Sequence, residues 1–185
     1  MIVADRTCDA GMYKPISQDN TLIMMIGLPR SGKSSWAVSQ GFPVVCLDAI
    51  RLAKTGQRWW GPIEHEIWPT ARTMVRALFL AGHKVVILDA CSLKREHRDN
   101  FKCSQDVLWK RYMQIIDTDV ETCVDRAEKT YPELADIIHW FNDNRDLVTP
   151  EEDITLWGLI KNGEVIMGDA GSIPAEGRPS SGGQR

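Results

Sequence analysis

No apolar run in this chain approaches the roughly 20 residues that cross a bilayer. Asp5 and Arg6 fall where a signal peptide needs its apolar segment. These two absences predict a soluble cytoplasmic protein with no membrane partner; for a viral chain this means the host cytoplasm. An excess of positive charge is also missing: 22 Lys and Arg face 25 Asp and Glu, a net charge of −3. Proteins that coat long nucleic acid are basic overall, so any contact with nucleic acid here is local. Cysteine is sparse and unpaired in pattern. The five, Cys8, Cys46, Cys91, Cys103 and Cys123, are odd in number and include no CxxC, which predicts reduced thiols. Cys46 and Cys91 lie beside predicted buried strands, where cysteine acts as a small apolar residue. His65, His83, His97 and His139 lack metal-ligand spacing and are expected at the surface. No internal repeat is present. At 185 residues the chain fills one domain and is short for two.

Against these absences stand four short apolar runs. They are "TLIMMI" (21–26), "FPVVCLD" (42–48), "HKVVILDA" (83–90) and "RYMQIID" (111–117). Continuous apolar runs of this length suit strands buried on both faces, and the last three carry an aspartate at the carboxyl end. Between them, Ile63, Ile67, Ala71, Met74, Val75 and Leu78 recur at helical spacing over 63–79. Pro69 should kink that helix or mark a fresh start. Residues 119–129 and 132–141 also read as helices. Alternating strands and helices predict an α/β fold, a parallel sheet of four to five strands flanked by helices. Near the end, Asn162-Gly163 between two apolar stretches predicts a terminal hairpin over 154–168. Residues 1–20 read as an irregular lead-in, 21–168 as the domain, and 169–185, rich in Gly, Ser and Pro, as a mobile tail.

The stretch "GLPRSGKSS" (27–35) carries the clearest chemistry. Gly27, Gly32, Lys33 and Ser34 fit G-x-x-x-x-G-K-[ST], with a strand before and a helix after, the context that the motif requires. Glycines let backbone N–H groups of Gly27, Leu28, Pro29 (which lacks one), Arg30, Ser31, Gly32, Lys33, Ser34 and Ser35 surround an anion. The start of the following helix adds unpaired N–H groups. ATP or another nucleoside triphosphate with Mg²⁺ is the expected ligand, Lys33 reaching the β- and γ-phosphates and Ser34 the metal. The structural alternative is a glycine-rich turn.

Phosphoryl transfer to a hydroxyl calls for a carboxylate near the acceptor. Ligands of α/β sheets lie beyond the carboxyl ends of the strands, and "VVCLDAIR" delivers Asp48 to that edge. Arg51, three residues on, shares a helix face with Asp48 and could hold an anionic group of the acceptor. The structural alternative is an N-cap aspartate with a solvated arginine. Trp59 and Trp60 follow in "GQRWWGP", placed either to stack on a base or to pack. Trp68, Trp109, Trp140 and Trp157 are expected to fill core or interface space.

The set "GLPRSGKS", "LDAIR", "VVILDACSLKREHR" and "CVDRAEKT" resembles the P-loop kinases that include the bacteriophage and bacterial polynucleotide 5′-hydroxyl kinases. The resemblance covers about residues 21–145, and D-x-x-R at Asp48 and Arg51 is its more selective part. It implies the P-loop kinase fold, Asp48 as general base, and Arg51 as ligand of the phosphate beside the acceptor nucleoside. It also implies a lid over about 119–146 whose Arg126, on one helix face with Lys129, stabilises the transferring phosphoryl group. A solvent-exposed, salt-bridged helix is the alternative for that segment. The family's Thr-Asn after the third-strand aspartate is replaced by Cys91-Ser92. Asp89 reads as second shell to Mg²⁺, as a brace of the phosphate loop, or as a helix cap. Lys94, Arg95 and Arg98 form either a patch that steers a nucleic-acid end or a solvated helix face. The expected activity is transfer of the ATP γ-phosphate to the 5′-hydroxyl of DNA or RNA. A small-molecule or nucleoside hydroxyl, or a hydroxymethylated base in DNA, is one alternative acceptor; a nucleotide-binding regulator without transfer is another. The phosphatase or ligase modules that such kinases often carry have no room after residue 150.

Overall fold

The computed structural model describes residues 20–58, 61–103, 107–152, 156–161 and 164–169. β1 (Thr21–Ile26) is apolar throughout because both its faces are covered. Leu22, Met24 and Ile26 belong to the larger core cluster, and Met25 to a smaller one on the opposite face. The same alternation holds in β3 (Val85–Asp89), where Val86 and Leu88 face one cluster and Ile87 the other. With β2 (Val44–Cys46), β4 (Lys110–Asp117), β5 (Leu156–Lys161) and β6 (Glu164–Asp169), they form one six-stranded sheet in the order β2-β3-β1-β4-β5-β6. The first five strands in that order run parallel, and β6 is antiparallel to β5. The fold is therefore α/β with a mostly parallel sheet, as the sequence pattern predicts. The hairpin does not hang from the domain: it supplies the fifth parallel strand and the edge. Its Asn162-Gly163 turn, the lead-in 1–19 and the tail from 170 onward lie outside the described residues.

Helix α1 (Lys33–Ser39) covers the smaller cluster through Ala37 and Trp36. On the other face pack α3 (Glu64–Leu80) and α5 (Val120–Glu128), with α6 (Leu134–Asp143) against α5. Short α2 (Leu47–Thr55) and α4 (Arg95–Asp99) follow β2 and β3. β1 sits between β3 and β4, so the chain leaves it at the point where strand order reverses. That point is where open α/β sheets place their ligands.

Four expectations change. The second strand ends at Cys46, and Leu47 already begins α2, so Asp48 lies in the first turn of a helix. A carboxylate is favoured there by the helix dipole. Pro69 does not mark a fresh start; α3 runs through it. Ile67, Ala71, Val75 and Phe79, four residues apart, bury one continuous ridge against the core, which outweighs one backbone hydrogen bond lost at the proline. Met74, beside that ridge, is exposed. Trp109 fills the core as expected, stacking on Phe79 and donating its indole N–H to the Phe101 carbonyl at 2.9 Å. Trp140 is exposed on α6, and the side chain of Trp157 lies outside the described residues. No described helix is long and apolar enough to cross a membrane.

Candidate functional site

The loop after β1 turns on two glycines. Gly27 has φ 154°, and a Cβ there would lie 2.6 Å from the Ile116 carbonyl oxygen, which excludes any side chain. Gly32, at φ 103°, caps α1 in a left-handed conformation that L residues rarely adopt. Between them Arg30 also has positive φ. Neighbouring strands fix the loop: Gly27 N–H donates to the Cys91 carbonyl at 3.2 Å, and the Thr118 hydroxyl, just past β4, to the Ser31 carbonyl at 2.8 Å. Lys33 is buried, and its Nζ donates to the Leu28 carbonyl at 2.6 Å, which folds the ammonium back over the loop. Ser34 and Ser35 are exposed in the first turn of α1. A cradle too tight for a Cβ at Gly27, a lysine bonded to the loop's own carbonyl and exposed hydroxyls at a helix start together fit a bound triphosphate and its Mg²⁺.

Asp48 and Arg51 meet on one turn of α2, Arg51 Nη1 donating to Asp48 Oδ1 at 2.6 Å. The pair has a third member. Glu64, the first residue of α3, accepts from Arg51 Nε at 2.6 Å and from Nη2 at 2.9 Å. One guanidinium thus faces two carboxylates. Burial by itself lowers the Arg51 pKa, but the carboxylates of Glu64 and Asp48 outweigh it and the net direction is upward. Asp89 is buried at the end of β3, in register with Cys46. Burial pushes the Cys46 thiol up, with Asp89 and Asp48 adding to the shift. The carboxylates of Asp48, on α2, and Asp89, at the end of β3, therefore both act on one thiol at the same sheet edge. Trp59 and Trp60 lie outside the described residues.

On the opposite side of the loop, α5 joins the core through Cys123, Val124 and Ala127. Its N-cap Asp119 accepts from the Thr122 N–H at 2.8 Å, which lowers the Asp119 pKa along with the Thr122 hydroxyl bond. Arg126, in the last turn, donates to the Arg30 carbonyl at 3.0 Å. Arg30 returns the contact: its Nη2 donates to the Thr130 hydroxyl, and its guanidinium lies 5.1 Å from the Tyr131 ring centroid. Two arginines and a lysine thus surround the phosphate loop. Burial pushes the Cys123 thiol up to about 11, so it stays protonated and acts as packing. The described cysteines, Cys46, Cys91, Cys103 and Cys123, are all free.

Lys94, Arg95 and Arg98 do not share one exposed face, as either a steering patch or a solvated helix face would require. Arg98 is fully buried, bonded to Glu152 at 2.6 and 2.7 Å and to the carbonyls of Ser92, Asp146 and Leu147. It ties α4 to the segment that leads into β5. Lys94 pairs with Asp146 at 3.6 Å, and Arg95 with Asp99 at 3.8 Å. His97 is half-buried rather than at the surface, stacked on Trp68 with ring centroids 4.2 Å apart. Among the described residues no cluster of three or more His, Cys, Asp or Glu could hold a metal ion.

The site residues that sequence reasoning missed are Glu64, Thr118, Thr130 and Tyr131. Glu64 had a faint signal, an acid at the start of a predicted helix. The other three depend on tertiary contact with the loop.

No protein-family model and no curated protein matches this sequence. Solved structures do. A chain from the Pnkp1/Rnl/Hen1 complex is 24% identical with a TM-score of 0.50, over 60% of this chain and 40% of that one. A chain from the Pnkp1/Rnl/Hen1 RNA repair complex is 21% identical, also with a TM-score of 0.50, over 70% of this chain and 47% of that one. Shikimate kinase from Acinetobacter baumannii, in complex with shikimate, is 19% identical with a TM-score of 0.48, over 80% of this chain and 86% of that one. The chain thus spans less than half the length of the two Pnkp1/Rnl/Hen1 chains. At these identities the likeness concerns the fold alone, an α/β fold.

Proposed function

We propose that this protein is an ATP-dependent phosphotransferase and that its acceptor is the 5′-hydroxyl end of a DNA or RNA strand. The observation that carries the reading is the Asp48–Arg51 pair, at 2.6 Å, on the helix that leaves the sheet edge bearing the phosphate loop. In this reading the backbone N–H groups of the loop from Gly27 to Ser35 that are not already bonded within the fold, together with Lys33, hold the triphosphate, and Ser34 holds Mg²⁺ with Asp89 behind it. ATP supplies the phosphoryl group and Mg²⁺ neutralises its charge. Arg51 holds Asp48 by Oδ1, and Oδ2 takes the proton of the acceptor hydroxyl. Arg126, bonded to the Arg30 carbonyl, is assigned to stabilise charge on the phosphate chain. Arg51 and Arg95 are assigned to the acceptor strand, with Trp59 and Trp60 as stacking partners. Likeness in fold to chains of an RNA repair complex supports a nucleic-acid acceptor.

One observation favours a second reading. Among the described residues Arg51 faces two carboxylates, Asp48 and Glu64, acidic surroundings that suit a neutral hydroxyl acceptor such as a nucleoside or sugar. Incubation with γ-labelled ATP and a panel of 5′-hydroxyl oligonucleotides, nucleosides and sugars separates the two. Label on the oligonucleotide ends is the expected result. Label only on small molecules selects the second reading, and label on neither refutes transfer.

A further inference from the structure

An open groove of about 460 Å³ runs beside α3, lined by Glu64, His65, Trp68, Pro69, Arg72 and Asn100. Glu64, Trp68 and Arg72 are four residues apart, so they form one stripe of the helix. The stripe spans about 12 Å at the helical rise. One end is Glu64, the same carboxylate that grips Arg51, so the groove starts one residue away from the Asp48–Arg51 pair. Its middle is an indole held in place on two sides: His97 stacks on Trp68, and Phe101 meets it edge-on at 6.2 Å. Its outer end is a guanidinium with fixed position. Arg72 donates to the carbonyls of Asn100 at 2.7 Å and Lys102 at 3.1 Å. Neutral carbonyls orient the cation without cancelling its charge.

We propose that this groove is the track of the acceptor strand beyond its reacting end, with Trp68 packing against a nucleobase and Arg72 taking a downstream phosphodiester. An immobilised indole offers a flat apolar surface that any base can use. A guanidinium bonded only to carbonyls among the described residues gives the matching contact to the backbone. The stripe is long enough for more than one nucleotide, at about 3.4 Å per step along a stacked strand. This assignment deepens the phosphotransfer reading and rests on it for the direction of the strand.

Binding is measured without chemistry, by fluorescence anisotropy of 3′-labelled 5′-hydroxyl hexanucleotides of DNA and of RNA, across a salt series. Arg72→Gln should weaken binding about tenfold and reduce the salt slope by about one. Trp68→Ala should weaken it about tenfold, with Trp68→Phe recovering most of the loss. The stronger of the DNA and RNA arms identifies the strand. Arg72→Gln carries the test should Trp68→Ala fail to fold, which thermal melting reports. Wild-type binding that neither variant weakens, or no wild-type binding to either strand, overturns the groove. If binding maps to Trp68 and Arg72 while label transfer is absent, the groove stands and the phosphotransfer reading falls.

Discussion

Arg51 and Arg98 are gripped in nearly the same way and placed in opposite environments. Each gives Nε and Nη2 to one glutamate, Glu64 at 2.6 and 2.9 Å and Glu152 at 2.6 and 2.7 Å. Around Arg98 the pair is sealed, with both side chains at 0% exposure and only carbonyls as further partners among the described residues. Around Arg51 a second carboxylate, Asp48, joins the cluster, and its side chain is 52% exposed. One grip is closed and internally neutral, so it locks a loop to a helix. The other is open on one side and, among the described residues, sets two carboxylates against one guanidinium, so it can meet a ligand. The difference lies in access and charge balance, not in residue type.

Breaking the closed grip should cost stability. Arg98→Met leaves Glu152 buried without its partner and should destabilise the fold by about 3–5 kcal/mol. For a domain of this size that lowers the melting temperature by on the order of 10 °C. Replacing Arg98 and Glu152 together by apolar residues should recover much of the loss, as thermal melting would show. Breaking the open grip should cost mainly activity. Arg51→Met should change stability by about 1–2 kcal/mol and lower the transfer rate by more than about tenfold, measured by label transfer. Glu64→Gln sharpens the contrast. With one carboxylate neutralised, Arg51 attracts a phosphate-bearing acceptor better, and the KM for an oligonucleotide should fall by on the order of fivefold. The KM for a neutral nucleoside should not follow it.

The smallest effect concerns His97, next to the closed grip. Burial lowers its pKa, with Arg98 and Lys94 acting the same way against Glu96 and Glu64. The unfolded chain therefore binds the proton more readily than the folded one, and stability rises with pH through this window. The contribution is full above the ordinary histidine range and is lost as pH falls toward the lowered folded value. Melting temperatures between pH 7 and 5 should fall less steeply in His97→Phe than in the wild type.

Which of these features the sequence made readable follows from their range. The phosphate loop was legible because strand, glycines, lysine and helix start are contiguous. The meeting of Asp48 and Arg51 was legible because residues three apart on a helix share a face. The sheet was legible from apolar runs that need cover on both sides. Glu64 was not, since it reaches Arg51 across a turn and from another helix. The burial of Arg98 was not, because "KREHR" reads as a solvated face until Glu152, 54 residues later, is placed against it. Pro69 could not be settled locally for the same reason: a local rule allowed a kink or a fresh start, and a buried ridge that only the sheet creates runs on through it.

The central claim is that the Asp48 carboxylate takes the acceptor's proton, and Asp48→Asn tests it most directly, with ATP affinity and label transfer measured on the same preparation. The account predicts ATP binding within about twofold of wild type and transfer reduced by about 100- to 10,000-fold, the range of a lost general base. Transfer at the wild-type rate with unchanged ATP binding would contradict it.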